Sequence, residues 1–221
     1  MLQAKTVSNA ILSRKTGKEL WKDAGLMLIC ILISRVTILD GLSPFGISFF
    51  ASVFLFDLSP LPAFLGCMVG TISANSDLSL YYGVAYLIFF VAMSIISKRK
   101  TKVGMVTVQT ALIGSLAISK LLYHYIDSML LYDILLAAAD IFIAALMVYV
   151  FSSVLSVLVE HNKRTILSNE EVICITFFAA LIILGSADME IYTYSLRNIL
   201  SIFLIMLFAY IGGTGIGASM G

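Results

Sequence analysis

The chain has 221 residues, of which 60% are hydrophobic and only 12% are charged, and its mean hydropathy is +1.03. So little charge cannot cover the exterior of a water-soluble domain of this length, whereas lipid solvates outward-facing Leu, Ile and Phe. The net charge of +1 gives no overall basic field, so we expect no nucleic-acid partner. The composition therefore predicts an integral membrane protein whose main partner is the lipid bilayer.

The N-terminal residues are the most basic part of the sequence, with five Lys and Arg residues before the first apolar stretch. They lack the apolar core and small-residue cleavage site of a signal peptide. We expect residues 1–23 to form a cytoplasmic basic segment, either a loose tail or a helix that lies on the inner leaflet. Residues 24–221 are expected to form the transmembrane domain.

Apolar stretches separated by polar connections predict an all-α fold, a polytopic transmembrane helical bundle. Several stretches reach the roughly 20 residues that a helix needs to cross a bilayer, and strand patterns are absent. The pattern indicates about eight spans plus the start of a ninth. The eight stretches lie at 24–39, 45–56, 61–74, 78–96, 103–126, 129–159, 172–187 and 196–211.

The second and third stretches, 45–56 and 61–74, are short for membrane spans. The sequence "DLSPLP" (57–62) separates them with two prolines, which end one helix and open the next. Two full spans and a buried helical hairpin that only partly crosses the membrane are both compatible with this pattern.

The distribution of cations predicts the orientation of the bundle. Of the 14 Lys and Arg residues, 11 fall before the first span, at 98–102 or at 163–164. Positive residues concentrate in cytoplasmic loops, so these segments and both termini are expected in the cytoplasm. The remaining connections, which carry Asp and Glu, are expected outside the cell. They lie near Asp40, 75–77, Asp127 and 188–195.

Signatures of catalysis and of metal binding are missing from the sequence. Cys30, Cys67 and Cys174 are isolated in apolar stretches, which predicts neither a disulfide nor a metal site. The two histidines, His124 and His161, fall on opposite sides of the membrane in the predicted topology. We therefore expect no catalytic residue, no metal and no cofactor in this chain.

Charges within the predicted spans are the best candidates for a functional role, because a carboxylate at mid-bilayer costs about 2.5–3.5 kcal/mol on insertion scales. Asp133 and Asp140 are seven residues apart and share one helix face. Arg35, Lys120, Asp133 and Arg197 all fall near the outer surface, where they can pair. This set is either a transport pathway or contacts between helices combined with snorkelling cations. Asp140 lies deeper, which makes it the best candidate for a functional or register-fixing residue.

The last residues, "YIGGTGIGASMG" (210–221), raise a choice between a nucleotide loop and a packing surface. A dinucleotide fingerprint needs a preceding strand and a later acidic residue, and a Walker loop needs Gly-Lys-Ser/Thr, none of which is present. Gly213, Gly217 and Gly221 recur every four residues, so in a helix they form one stripe for close packing. We therefore expect a packing surface at the start of a further membrane segment.

Three stretches carry a resemblance to a known family. "SRVTILDGLSPFGISFFASVF" (34–54), "SNEEVICITFFAALIILG" (168–185) and residues 210–221 resemble the N-terminal membrane domain of stage II sporulation protein E from endospore-forming bacteria. The order and spacing correspond from about residue 22 onward. The family usually has about ten spans, followed by an oligomerisation region and a PPM-type serine/threonine phosphatase, so this chain is expected to end before those parts.

The resemblance implies a specific role. A full-length member is a phosphatase at the polar septum that dephosphorylates an anti-sigma-factor antagonist and so activates the first forespore sigma factor. It is also expected to engage the division-ring protein. The membrane domain would anchor, localise and assemble the enzyme as a homo-oligomer in the cell membrane. Manganese or magnesium is expected only in the phosphatase domain, which lies outside this chain.

Two other classes of function stay open on the residues alone. A small-solute transporter would use Asp140, Asp133 and the broken 45–74 region as a substrate path. A membrane sensor domain would instead regulate an attached cytosolic enzyme through helix shifts.

Overall fold

The computed structural model describes most of the predicted helical region. The described residues are 17–38, 42–56, 58–74, 76–99, 103–124, 131–160, 168–187, 189–191, 194–206 and 210. Within them the chain is predominantly helical, which confirms the predicted all-α class. The helices are α1 (Gly17–Ser34), α2 (Pro44–Val53), a 3₁₀ turn (Phe54–Phe56), α3 (Pro60–Ala74), α4 (Ser76–Arg99), α5 (Met105–His124), α6 (Leu131–Glu160), α7 (Asn169–Gly185) and α8 (Leu196–Met206).

Local sequence signals determine where several helices begin. Pro44 and Pro60 open α2 and α3, at the position where a missing backbone N–H costs nothing. Helix α7 begins with a capping box. Ser168 Oγ accepts the Glu171 N–H at 3.2 Å, and the Glu171 carboxylate accepts the Ser168 N–H at 2.8 Å.

Three helices in the described part of the chain are long and apolar enough to cross a membrane. They are Ser79–Lys98 in α4, Met105–Tyr123 in α5 and Tyr132–Val159 in α6. The shorter apolar helices include Pro44–Phe56, Pro60–Ala74 and Leu196–Met206. A multi-helix membrane domain agrees with these lengths, and the count of about eight spans stays a prediction.

Helix α2 forms the centre of the bundle, because all ten of its residues are buried. It packs most extensively on α6, where Ser48 Oγ donates a hydrogen bond to the Ala144 carbonyl at 2.9 Å. Phe50 is surrounded by aromatic rings from several helices. Their centroids lie 5.4–6.4 Å from that of Phe50, and the rings belong to Phe54, Phe64, Tyr86, Phe89 and Phe90.

Helices α1 and α3 pack closely and run parallel. A Cβ atom on Gly66 would lie 2.6 Å from the Met27 carbonyl oxygen, and one on Gly70 would lie 2.5 Å from the Ile31 carbonyl oxygen. Both glycines therefore face the backbone of α1, with the four-residue spacing of close membrane helix contacts. Two parallel helices that follow each other in the chain need a segment that runs back between them. Here α2 and the 3₁₀ turn form that segment.

Helix α1 begins at Gly17, upstream of the boundary expected between the basic segment and the transmembrane domain. Lys22 therefore lies on the same helix as the apolar residues that follow it. Trp21 precedes it and is 81% exposed.

A short hairpin follows α7, in a region where the sequence shows no strand pattern. Strand β1 (Glu190–Ile191) pairs antiparallel with β2 (Tyr194–Ser195), and the Leu196 N–H donates to the Met189 carbonyl at 2.8 Å. Strands of two residues are too short to show alternation, which explains why the sequence pattern missed them.

Candidate functional site

The Asp140 carboxylate is buried between α4 and α6. Asp140 is 0% exposed, and its carboxylate oxygens accept hydrogen bonds from two adjacent tyrosines on α4. Tyr81 Oη lies 3.1 Å from Oδ2, and Tyr82 Oη lies 3.0 Å from each carboxylate oxygen. A buried carboxylate is costly without such donors, so these hydroxyls are what allows Asp140 to lie in the core.

Tyr82 connects Asp140 to the segment that precedes α2. Its hydroxyl oxygen accepts the backbone N–H of Ser43 at 2.7 Å. Ser43 Oγ in turn donates to the carbonyls of Ser34 and Val36, at 3.2 Å and 3.1 Å. One buried polar network therefore joins α6, α4 and the end of α1 through Ser43, the residue before α2.

Lys120 on α5 places a positive charge beside this network. Its Nζ lies 4.4 Å from the centroid of the Tyr81 ring, a cation–π distance. Lys120 also interacts electrostatically with both Asp140 and Asp133. The structure thus brings together three of the intramembrane residues selected from the sequence.

The arrangement suits two chemical roles. A carboxylate that accepts bonds from two phenols can fix the register of the helices that carry them. The same carboxylate, with an amine beyond one of the phenols, has the components of a proton relay. Within the described ranges, no group of three or more His, Cys, Asp or Glu side chains is arranged to hold a metal ion.

Arg35 lies at a second position, between α3 and α7. Its Nε donates to the Gly185 carbonyl at 3.1 Å, and a terminal guanidinium nitrogen donates to Ser73 Oγ. Arg197 is exposed in the first turn of α8. Both contacts of Arg35 join the C-terminal ends of helices, which places a cation at the negative ends of α3 and α7.

The C-terminal glycines selected from the sequence, Gly213, Gly217 and Gly221, lie outside the described residues, so their packing role stays a prediction. Several glycines in the described part, among them Gly46 and Gly185, lie in close contact with other helices, and one such contact is that of Gly66 and Gly70 with α1. Its G-x-x-x-G spacing is legible in the sequence "GCMVG" (66–70). The sequence analysis also did not select Tyr81 and Tyr82. The feature that could have identified them is two adjacent hydroxyl groups inside an otherwise apolar stretch.

Comparison with known proteins identifies relatives of this chain. Residues 3–221 match the family described as SpoIIE, N-terminal domain. The chain is 24% identical over 198 residues to stage II sporulation protein E of Bacillus subtilis (strain 168). That alignment covers 88% of this chain and 24% of the relative, so the chain spans about a quarter of the relative's length. No solved structure matches the chain.

Proposed function

Because the chain belongs to the family of SpoIIE N-terminal domains, we propose that it anchors and assembles a sporulation protein phosphatase in the cell membrane. The observation that carries this proposal is the family match over residues 3–221. The chain itself contributes no catalytic residue and needs no cofactor. Phosphatase activity, with its manganese or magnesium, belongs to a region outside these residues.

The proposed topology has about eight spans, the start of a ninth and both termini in the cytoplasm. Contacts at the two ends of the bundle support it. At one end, Lys22, Ser59 and Leu158 line a common cavity. At the other end, Arg35 joins the ends of α3 and α7. This grouping agrees with helices that alternate in direction and with the cations that precede α1 and follow α6.

Helix α2 is proposed to be a pass enclosed by the bundle and α3 a second pass at its side, rather than the two forming a hairpin that only partly crosses. Ser43, before α2, contacts Tyr82 in the polar network, whereas Leu58, after the 3₁₀ turn, lines the cavity beside Lys22. The parallel contact of α3 with α1 supports the same path. Ten residues of helix rise only about 15 Å, so the burial of all ten α2 residues is what separates this helix from the surrounding bilayer.

The cellular role proposed for the assembled protein follows from the family. It is a multi-pass protein of the bacterial cell membrane that gathers at the polar septum as a homo-oligomer and engages the division-ring protein. There its phosphatase dephosphorylates an anti-sigma-factor antagonist and activates the first forespore sigma factor.

The closed network around Asp140 favours a scaffold over a transport path. Asp140, Tyr81 and Tyr82 are each at most 2% exposed, and protein groups supply the hydrogen bonds to the carboxylate. A transport path through this point would need these contacts to break in every cycle. The alternatives are a small-solute transporter and a sensor domain, and the experiments below distinguish each of them from an anchor.

The test uses the chain fused to a fluorescent protein in sporulating cells that lack their own copy of the relative. The fusion is expected to concentrate at the polar septum, and an unrelated multi-pass protein with the same fluorescent label serves as the control. Uniform distribution of both proteins around the membrane would contradict the localising role. Solute uptake by vesicles that contain the purified chain would instead support a transporter.

A second measurement separates an anchor from a sensor. The phosphatase activity of the full-length protein in lipid is compared with that of its soluble phosphatase fragment. An anchor predicts equal activity per enzyme, whereas a sensor predicts activity that changes with the membrane domain.

A further inference from the structure

A cavity of about 820 Å³ lies at the end of the bundle opposite the Asp140 network. Residues of α1, α2, α6, α7 and the connection before α3 line it. Its volume falls in the range of about 300–1,000 Å³ that is usual for ligand sites in proteins.

The cavity is apolar in its interior and charged at one end. Phe49 and Phe178 form its deep part and are 1% and 7% exposed, whereas Leu158 near the end of α6 is 58% exposed. Lys22 and Asp23 lie where α1 enters the cavity, seven and six residues before the apolar side chain of Ile29. A molecule that fills this cavity therefore needs a long apolar part and a polar part at one end.

The charge at the opening, together with the charges of the adjoining sequence, favours an anionic polar part. Lys22 lines it directly, and Asp23 already has an interaction within the protein. Residues 14–22 contain four Lys and Arg residues against one Glu, and Lys163 and Arg164 follow α6 in the sequence. Basic clusters beside membrane helices attract anionic lipid headgroups.

We propose that this cavity binds one anionic phospholipid, with an acyl chain between α1, α6 and α7 and the headgroup phosphate beside Lys22. The inference rests on the membrane insertion proposed above and goes beyond it, because it assigns a specific lipid site. In this arrangement, the apolar part of the lipid lies against Phe49 and Phe178.

Gly25 offers a way to block the site without disturbing the helix. It lines the cavity, and a Cβ atom added to it would meet no atom within 4 Å. A side chain at this position therefore starts in open space, and Gly25→Leu places apolar volume at the acyl position. Gly114 on α5 is equally open and does not line the cavity, so Gly114→Leu is a matched control.

The single tryptophan of the chain, Trp21, provides the readout, since it lies one helical turn before Gly25. The 221-residue chain is reconstituted in neutral vesicles, and increasing fractions of lipid with brominated acyl chains are added to quench Trp21 fluorescence. Brominated phosphatidylglycerol is compared with brominated phosphatidylcholine. Half-maximal quenching is expected at about a fivefold lower fraction of phosphatidylglycerol, the factor that one lysine near a membrane surface gives.

The variants separate the two parts of the site. Gly25→Leu should abolish the preference for phosphatidylglycerol, and Gly114→Leu should keep it. In Lys22→Gln, half-maximal quenching should occur at nearly the same fraction of phosphatidylglycerol as of phosphatidylcholine. Quenching by both lipids should persist, because the apolar part of the cavity is unchanged.

Three outcomes would overturn the lipid site. The first is equal quenching by both lipids in the parent chain, and the second is an unchanged preference in Gly25→Leu. The third is a preference that appears only after residues 1–16 are removed, which would assign the cavity to that segment. Absence of quenching by either lipid would contradict the proposed membrane insertion itself, and the lipid site with it.

Discussion

At Asp140, two tyrosine hydroxyls satisfy one carboxylate, and groups from other parts of the fold contact those tyrosines in turn. Tyr81 and Tyr82 belong to α4, Lys120 to α5 and Ser43 to the connection before α2. Sequence patterns predicted that the residue is buried at an unusual depth. They could not name its partners, because hydroxyl groups within an apolar stretch give no periodic signal and helix pairing was unknown.

The Tyr82 hydroxyl should contribute more stability than an exposed one, because it bonds both Asp140 and the Ser43 N–H. We expect Tyr82→Phe to lower the free energy of unfolding by about 1 kcal/mol, the usual scale for hydrogen bonds between membrane helices. The melting temperature of the purified protein in detergent measures this change. Tyr149→Phe is the control, since Tyr149 is 56% exposed and its hydroxyl lies 3.5 Å from the Gln109 side chain. Equal melting temperatures for the two variants would contradict the role of the network.

Substitutions of Asp140 distinguish a register-fixing residue from a proton relay. Asp140→Asn keeps a side chain that can bond both tyrosine hydroxyls, so we expect it to be tolerated. Asp140→Leu removes the buried acceptor to which both hydroxyls donate and should lower the yield of monodisperse protein. A relay predicts that Asp140→Asn folds normally and loses function. Full tolerance of Asp140→Leu would remove Asp140 from either role.

At the scale of elements, the contact between α1 and α3 depends on two glycines. In α3, Gly66 and Gly70 allow the two helix backbones to approach, and lipid supplies no hydrophobic drive that would compensate for a gap. The α1 residues that face these glycines, Met27 and Ile31, contribute backbone carbonyls. A clash at this contact can be relieved only by separating the helices.

Gly70→Ala should therefore destabilise the bundle even though Ala favours a helix by about 1 kcal/mol over Gly. The added Cβ would lie 2.5 Å from the Ile31 carbonyl oxygen. Gly83→Ala on α4 is the matched control, because the nearest atom to its Cβ would be Met68 Cε at 3.6 Å. Thermal unfolding in detergent should show a loss for Gly70→Ala and no loss, or a small gain, for Gly83→Ala. A loss of equal size in both would sink the close-contact explanation.

At the scale of the whole molecule, composition and hydropathy were sufficient for the helical class, because a membrane imposes that class through length and burial alone. The long spans of α4, α5 and α6 coincide with the three longest uninterrupted apolar stretches in the sequence. The path of α2 and α3 could not be read in the same way. Both are shorter than a span, and the proposal of two passes depends on contacts such as the parallel packing of α3 on α1, which the sequence pattern does not show.

The proposed orientation predicts different labelling at the two faces of the membrane. Single cysteines are introduced at Ser97, in the last turn of α4, and at Thr193, after β1 in the sequence. The background lacks Cys30, Cys67 and Cys174. An impermeant thiol reagent added to intact cells should label the Thr193→Cys protein and spare the Ser97→Cys protein. Permeabilised cells, in which both should react, control for accessibility, and the reverse pattern in intact cells would contradict the orientation.

The complete enclosure of α2 has a consequence for how the protein is made. The hydrogen bond between Ser48 and the Ala144 carbonyl joins residues 96 positions apart, so α2 leaves the ribosome well before the helix on which it packs. At typical rates of synthesis this delay is roughly 5 to 20 s. During that time a ten-residue segment too short to span lipid can pack on α1, α3, α4 and α5 but lacks α6, the helix that it contacts most extensively. We therefore expect the insertion machinery or a chaperone to shelter the uncovered side of α2 until α6 arrives.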